Sequence, residues 1–338
     1  MKKFINKVDD ILTESLSGFA LAHSDLVTLH LEPNFLTRSK QTQGKANNKV
    51  AIISGGGSGH EPLHAGYIGY GMLDAACPGH VFSSPTPDQI LAAAQAVHAH
   101  KGILFIVKNY AGDVMNFEMA GEMLPFDHAT VLTSDDCAVI NSTYTTGRRG
   151  VAGTMIVEKC VGSLAEAGAS LQACKALGDK VNARTASIGV ALTSCTVPAA
   201  GRATFDISDS ELEMGVGIHG EPGRRREAMR EADSIVKDML DAILTDFKTR
   251  NIDTAKKENS AALLLINGFG ATPLMELYLI YNSAAHYLSA YGIQIALSLV
   301  GNYNTALDMA GASITVCLLD DEIKQHWLSP VHTAALRW

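Results

Sequence analysis

The sequence lacks the signatures of the familiar metal, redox and hydrolytic frameworks. None of its six cysteines forms a C-x-x-C pair, which argues against a zinc ribbon and a redox dithiol. Cys77, Cys137, Cys160, Cys174, Cys195 and Cys317 sit mostly among apolar or small residues, as free buried thiols of a reducing compartment do. The twelve histidines are scattered, and the H-E-x-x-H letters at His60-Glu61-Pro62-Leu63-His64 enclose a proline, so no metal site is expected. His60 and His64 are four apart, but Pro62 between them disfavours a regular helix presenting both. The G-x-S-x-G elbow of serine hydrolases is missing: Ser58 has Gly56 two before it but His60 two after. The glycine run 55–59 is not followed by Gly-Lys-Ser/Thr, so a nucleoside-triphosphate P-loop is unsupported.

Basic charge is also short. Twenty-seven Lys and Arg against thirty-five Asp and Glu give a formal net charge of −8, which argues against nucleic acid and membrane surfaces as partners. Arg224, Arg225 and Arg226 form the densest basic run, and Glu227 follows at once, so it reads as a solvated helix start. The N-terminus has no uninterrupted apolar region of a signal peptide, and no apolar run reaches bilayer-spanning length. The expected compartment is the cytoplasm. No repeat with a period of 20–50 residues is visible, which sets aside a solenoid.

What is present is an apolar, lightly charged chain of 338 residues, 47% hydrophobic and 18% charged, long enough for two cores. Periodicity predicts helices over about 5–22, 85–98, 116–124, 151–168, 170–184, 226–247 and 274–291. Apolar runs predict strands at 50–53, 102–107, 129–132, 187–192, 261–266, 293–300 and 313–319. Residues 212–217 lead into a glycine-rich loop, and polar stretches at about 38–48 and 248–260 read as loop and linker. The alternation implies an α/β fold of two α/β domains, each a sheet covered by helices, divided as 1–185 and 186–338. In the first a largely parallel sheet is expected, with ligands gathering at strand carboxyl ends.

Two glycine-rich loops stand out. Residues 215–223 read GVGIHGEPG and place His219 among four glycines; residues 54–62 read SGGGSGHEP. Glycine lets a ligand or another backbone approach closely, so an imidazole on such a loop can touch a small molecule. The alternative for His219 is a surface side chain on a tight turn. The GGGSG run offers backbone N–H groups of the kind that cradle anions. After the 102–107 strand come Lys108, Asn109 and Asp113. Asp113 is either a general base or the cap of a helix starting near Val114, and Lys108 either a site cation or a strand-end charge facing water. Residues 147–150 (GRRG) bind an anion or make a turn, and residues 267–273 read as a strand-to-helix turn.

Together SGGGSGHEP, GYIGYGML, SPTPDQI, VKNYAGDVMNFEMA, TGRRGVAGT, CTVPAAG, GVGIHGEPG, GFGATPLMELY and SPVHTAAL resemble, in collinear order, the substrate-binding subunit of dihydroxyacetone kinases. The resemblance runs from about residue 2 to residue 338. It implies two α/β domains and a homodimer. It implies that His219 attacks the ketone of dihydroxyacetone to form a covalent hemiaminal, and that His60 hydrogen-bonds the substrate. Asp113 would accept the proton of the attacking hydroxyl. Lys108 and the Gly57 backbone would hold substrate oxygens, within the substrate-binding run Gly57, Ser58 and Gly59. It also implies that this chain holds no cofactor. ADP or ATP with Mg would sit on a separate helical kinase subunit, recharged by a phosphotransferase protein that draws on phosphoenolpyruvate, because the chain stops at Trp338. Departures from the family pattern fall in residues 137–144, at Ala306 and at Ala312. They leave open a relative that binds dihydroxyacetone and serves as coactivator of a transcription regulator. A related short-chain ketose or aldose is a further candidate substrate.

Overall fold

The computed structural model describes residues 2–40, 48–139, 145–252 and 260–338. The polar stretches expected at 38–48 and 248–260 lie partly outside these residues, as does the segment 137–144. The first six-stranded sheet contains β1 (Val27–His30), β2 (Phe35–Arg38), β3 (Ala51–Ser58), β5 (Ala75–Val81), β6 (Ile103–Lys108) and β7 (His128–Thr133). Its order is β1-β2-β5-β3-β6-β7. The strands from β5 to β7 are parallel, while β1 and β2 join antiparallel. The short β4 (Gly69–Tyr70) pairs instead with β16 (His332–Thr333).

Side chains on β3 and β6 alternate between two apolar layers, as the period of two requires. Ala51, Ile53, Ile103, Phe105 and Val107 meet α2 (Pro87–Val97) and α3 (Ala111–Glu122). Ile52, Leu104 and Ile106 face the opposite way, towards α1 (Ile11–Ala22), α4 (Thr154–Glu166) and α5 (Leu171–Ala183). Eleven of the thirteen residues of α4 are buried. A helix buried on all sides belongs inside a protein, and α4 lies between the two sheets.

The second six-stranded sheet contains β8 (Thr185–Ala191), β11 (Glu211–Met214), β12 (Arg225–Ala228), β13 (Ser260–Gly268), β14 (Ile293–Gly301) and β15 (Gly311–Leu318). Its order is β12-β11-β8-β15-β13-β14, antiparallel except for β13 with β14. β9 (Thr196–Val197) and β10 (Arg202–Ala203) make a separate hairpin. α6 (Ala232–Thr249) and α7 (Leu274–Ala290) cover one face of the second sheet. Leu263, Leu265 and Cys317 point to the other face and join the α4 layer, with α8 (Asp321–Leu328) beside them. The fold is therefore α/β with helix-covered sheets, and one apolar cluster holds residues of both.

Several expectations change. The glycines 55–57 are not a loop but the last part of β3, paired with Cys77, Pro78 and Gly79 of β5. A Cβ at Gly55 would stand 2.7 Å from the Cys77 carbonyl, so these positions must be bare for the strands to close up. Helix α3 begins at Ala111, which puts Asp113 inside its first turn and leaves Tyr110 as the N-cap. The run at Arg224–Arg226 is not a helix start: Arg225–Ala228 forms the edge strand β12, and α6 begins at Ala232. Arg225 and Arg226 are tied down by Glu227, Asp238 and Glu213.

Candidate functional site

The carboxyl ends of β3, β5 and β6 open on one side of the first sheet, and the loop after β11 reaches them from the second. A cleft of about 620 Å³ lies between, lined by Gly57, Phe82, Tyr110, Asp113, Thr145 and His219 among others. Two histidine loops separated by more than 150 residues in sequence thus meet. A second cleft, about 650 Å³, lies across the glycine strand beside α1, and neither His219 nor Asp113 lines it.

His219 Nδ1 is 2.9 Å from Oε1 of Glu221, whose other oxygen accepts the His219 backbone N–H at 2.9 Å. Burial would raise the Glu221 carboxyl, but the neighbouring His219 imidazole and Arg149 guanidinium hold it down at about 2. An ionised carboxylate only accepts, so Nδ1 carries a proton, and in the neutral ring Nε2 is the atom with the lone pair. Edge-on packing against His60, Phe82 and Tyr110 fixes the ring plane, with centroids at 4.6, 5.2 and 4.7 Å. Gly217 leaves the space the Glu221 carboxylate fills. Arg149 is fully buried, donates to Asp136 at 2.6 Å and to the Gly215 carbonyl at 2.7 Å, and so anchors the loop. The GRRG turn is an internal strut; Arg149 is not an exposed anion site.

His60 is wholly buried and stacks on Phe82 at 5.0 Å. Its pKa lies well below the usual value because burial, then the adjacent His219 and Lys108, disfavour the imidazolium. Nδ1 lies 2.8 Å from the Thr305 carbonyl and must donate to it. That leaves Nε2 an acceptor with no partner among the described residues.

Asp113 is 3% exposed, accepts a short hydrogen bond from Ser84 Oγ, and lies 3.3 Å from the Lys108 ammonium. Lys108 does not face water. It is fully buried behind Gly56 and is absent from the cleft lining. Ser58 donates to the Gly79 carbonyl at 2.7 Å, and Gly59, at φ +99°, donates its N–H to Glu61; both line the second cleft. The structure therefore gathers His219, Asp113 and Gly57 at one cleft, with His60 and Lys108 buried behind it.

Sequence reasoning missed Glu221, Ser84, Phe82, Tyr110 and the role of Arg149. Only Glu221 carried a signal, as the acid two residues beyond the exposed histidine. Among the described residues, no group of three His, Cys, Asp or Glu side chains is placed to hold a metal ion. No helix among them is long and apolar enough to cross a membrane.

Comparison with known proteins gives the same direction. Residues 17–335 match the Dak1 domain. The PEP-dependent dihydroxyacetone kinase, dihydroxyacetone-binding subunit DhaK of Escherichia coli (strain K12), is 47% identical, over 100% of this chain and 99% of that one. The crystal structure of the dihydroxyacetone kinase of C. freundii superposes with a TM-score of 0.85 at 33% identity, covering 98% of this chain and 60% of that one. That kinase is also solved in complex with AMP-PNP and Mg2+. The dihydroxyacetone kinase operon co-activator Dha-DhaQ superposes at 0.86 with 32% identity, covering 98% of each chain.

Proposed function

The chain belongs to the Dak1 domain family, and from that premise we propose that it is the dihydroxyacetone-binding subunit of a phosphoenolpyruvate-dependent dihydroxyacetone kinase. The observation that carries the reading is the His219–Glu221 pair facing Asp113 across one cleft. Nε2 of His219 attacks C2 of the ketone and forms an N–C bond; the carbonyl π pair moves to oxygen, which takes a proton from water. The positive charge left on the ring is balanced by the Glu221 carboxylate. Glycerol has no carbonyl and cannot be held this way. His60 Nε2, an acceptor without a partner, takes a hydrogen bond from a substrate hydroxyl. Asp113 accepts the proton of the terminal hydroxyl as that oxygen attacks phosphorus, while the Gly57 backbone lines the approach.

The phosphoryl donor is a nucleotide with Mg2+ held by a separate helical subunit. The chain works as a homodimer in the cytoplasm, with neither nucleic acid nor membrane as partner. The co-activator reading is not favoured. Superposition fits it and the kinase equally well, but the kinase subunit is the far closer sequence match over its whole length. A ligand reporter also needs no buried carboxylate hydrogen-bonded by Ser84 and paired with Lys108.

The test is to incubate the full chain with dihydroxyacetone, follow intact mass, and then add the nucleotide-loaded helical partner of the source organism. A gain of one triose, lost in His219→Ala, followed by dihydroxyacetone phosphate on adding the partner, is expected. Capture without transfer would install the co-activator reading, and no capture at all would overturn both.

A further inference from the structure

A buried polar chain runs inward from Asp113. The Lys108 ammonium has three acceptors within reach: Asp113 Oδ2 at 3.3 Å, the Gly55 carbonyl at 3.1 Å and His64 Nε2 at 2.9 Å. On the far side of that imidazole, Nδ1 lies 2.6 Å from Oε1 of Glu158 on α4 and 2.9 Å from Ser54 Oγ. Ser54 spends its own proton on the Ile106 carbonyl at 2.7 Å. Lys108 and Glu158 are fully buried and His64 is 6% exposed.

Donor and acceptor rules fix the order of protons. An ammonium only donates, so His64 Nε2 must carry a lone pair. The neutral ring then holds its proton on Nδ1 and donates it to Glu158. Burial, then Lys108 and His60, keeps His64 well below its usual pKa and so neutral. Burial also raises the Glu158 carboxyl to about 8, and its carbonyl oxygen accepts from Nδ1 whether the acid is protonated or not. All three ammonium protons of Lys108 are thereby committed, one of them to the side of Asp113 that Ser84 does not hold. Gly56 belongs to the same device, since a Cβ there would fall on the Lys108 ammonium.

The geometry points to His64 and Glu158 as positioning residues for phosphoryl transfer: through one fixed imidazole tautomer they hold the Lys108 ammonium against Asp113 and keep that carboxylate aimed at the cleft. This inference rests on the kinase reading for its kinetic arm only. Neither residue lines the His219 cleft, so they act on the base and not on capture.

The charged and titratable groups facing Lys108 and Asp113 are few. His60 and His64 come from the segment after β3, Tyr110 from the head of α3, Glu158 from α4, and His219 with Glu221 from across the cleft. Losing His64 leaves a buried ammonium with an uncommitted proton. Lys108 then moves away, and Asp113 loses its positive neighbour. With Ser84 holding only one carboxylate oxygen, the other is then free to turn from the cleft.

The first test reads the full chain without ligand. In a long-range proton–nitrogen spectrum of histidine-labelled protein, His64 should show a protonated Nδ1 and a bare Nε2, unchanged between pH 6 and 8. A bare Nδ1 or a titrating ring overturns the proposal whatever the substrate proves to be. The second reads turnover with dihydroxyacetone and the nucleotide-loaded partner. His64→Leu should cut kcat by about 10²-fold, a loss typical of a misplaced group. It should leave triose capture at His219 intact. Should that variant not fold, Glu158→Leu against Glu158→Gln decides: the amide oxygen can still accept from Nδ1, so Gln should restore most of what Leu loses. Unchanged kcat in folded His64→Leu, or equal loss in Glu158→Leu and Glu158→Gln, sinks the idea. If the wild-type chain phosphorylates nothing, the kinase reading fails and the nitrogen shifts alone judge the network.

Discussion

His60 stands with its ring at 82° to that of His219, the centroids 4.6 Å apart, and only His219 lines the cleft. The two imidazoles are set by different partners into the same proton arrangement. Each donates Nδ1–H to a protein oxygen, Thr305 O for one and Glu221 Oε1 for the other, and each keeps a free Nε2. In the proposed reaction one lone pair would form the bond to the ketone carbon and the other would accept a hydrogen bond from a substrate hydroxyl.

Glu221→Gln is the sharpest probe of that arrangement. Both Glu221 oxygens accept, one from the ring and one from the His219 backbone N–H. An amide cannot accept with both ends, so either the ring loses its tautomer or the loop loses its anchor. Triose capture, read by intact mass, should slow by roughly 10²-fold or more, as when a triad carboxylate becomes an amide. Unaltered capture would remove Glu221 from the chemistry.

Asp113→Asn separates capture from transfer. The residue is not the helix cap, so the cap is untouched, and an amide oxygen can still accept from Ser84. Binding of dihydroxyacetone should persist while turnover with the partner falls by at least the ~10²-fold typical of a lost acid–base group. Turnover like wild type would leave Asp113 a structural anchor.

Gly56→Ala should be costly although it adds one methyl. The new Cβ would stand 2.0 Å from the Lys108 ammonium, which is fully buried and would have to leave its partners. Displacing a buried paired charge costs on the order of 3–5 kcal/mol. Denaturant unfolding of the variant should show a loss of that size, and a midpoint within error of wild type would contradict the packing.

Glu158 links stability to pH in a definite direction. Its folded pKa of about 8 lies above the ordinary 4.5, so the folded state prefers the protonated acid. The associated stability is complete below pH 4.5 and declines as pH rises towards 8. Glu158→Gln cannot ionise. The stability difference between variant and wild type should therefore shift in the variant's favour between pH 5 and pH 9, measured by denaturant midpoints. A constant difference would mean that Glu158 ionises in the fold as readily as out of it.

The parts of this architecture that announce themselves are local. Apolar runs such as 103–107 and the capped start of α2, where Thr86 and Gln89 close a capping box, need no distant partner to be read. The histidine loops are visible because glycine is concentrated there. β5 escaped because Pro78 and Gly79 sit inside it, a composition that ordinarily rules out a central strand. β12 was read as helix because RREAMREAD suits a solvated helix, and only pairing with β11 makes it a strand. Lys108 stays open between a site cation and a surface charge because His64, which holds it, and Glu158, which holds His64, lie 44 and 50 residues away along the chain. A strand-end lysine carries no local sign of being enclosed. Ser84, Phe82 and Tyr110 are ordinary loop residues until the second sheet brings His219 against them.

The α4 layer has a mechanical consequence. It is packed against both sheets at once, and the backbone of the first histidine loop is also sewn to the second sheet's Thr305–Leu307 segment, with Leu307 N–H on Gly59 O at 2.9 Å and Thr305 N–H on His60 O at 3.2 Å. The cleft walls share one foundation, and among the described residues no hinge separates them. Jaw-like closure would tear a continuous apolar interior, which is far dearer than anything a three-carbon ligand returns on binding. The receptor is thus a fixed socket. In the proposed transfer, exclusion of water would then come from outside, from the surface that delivers the phosphoryl group and seals the opening as it arrives.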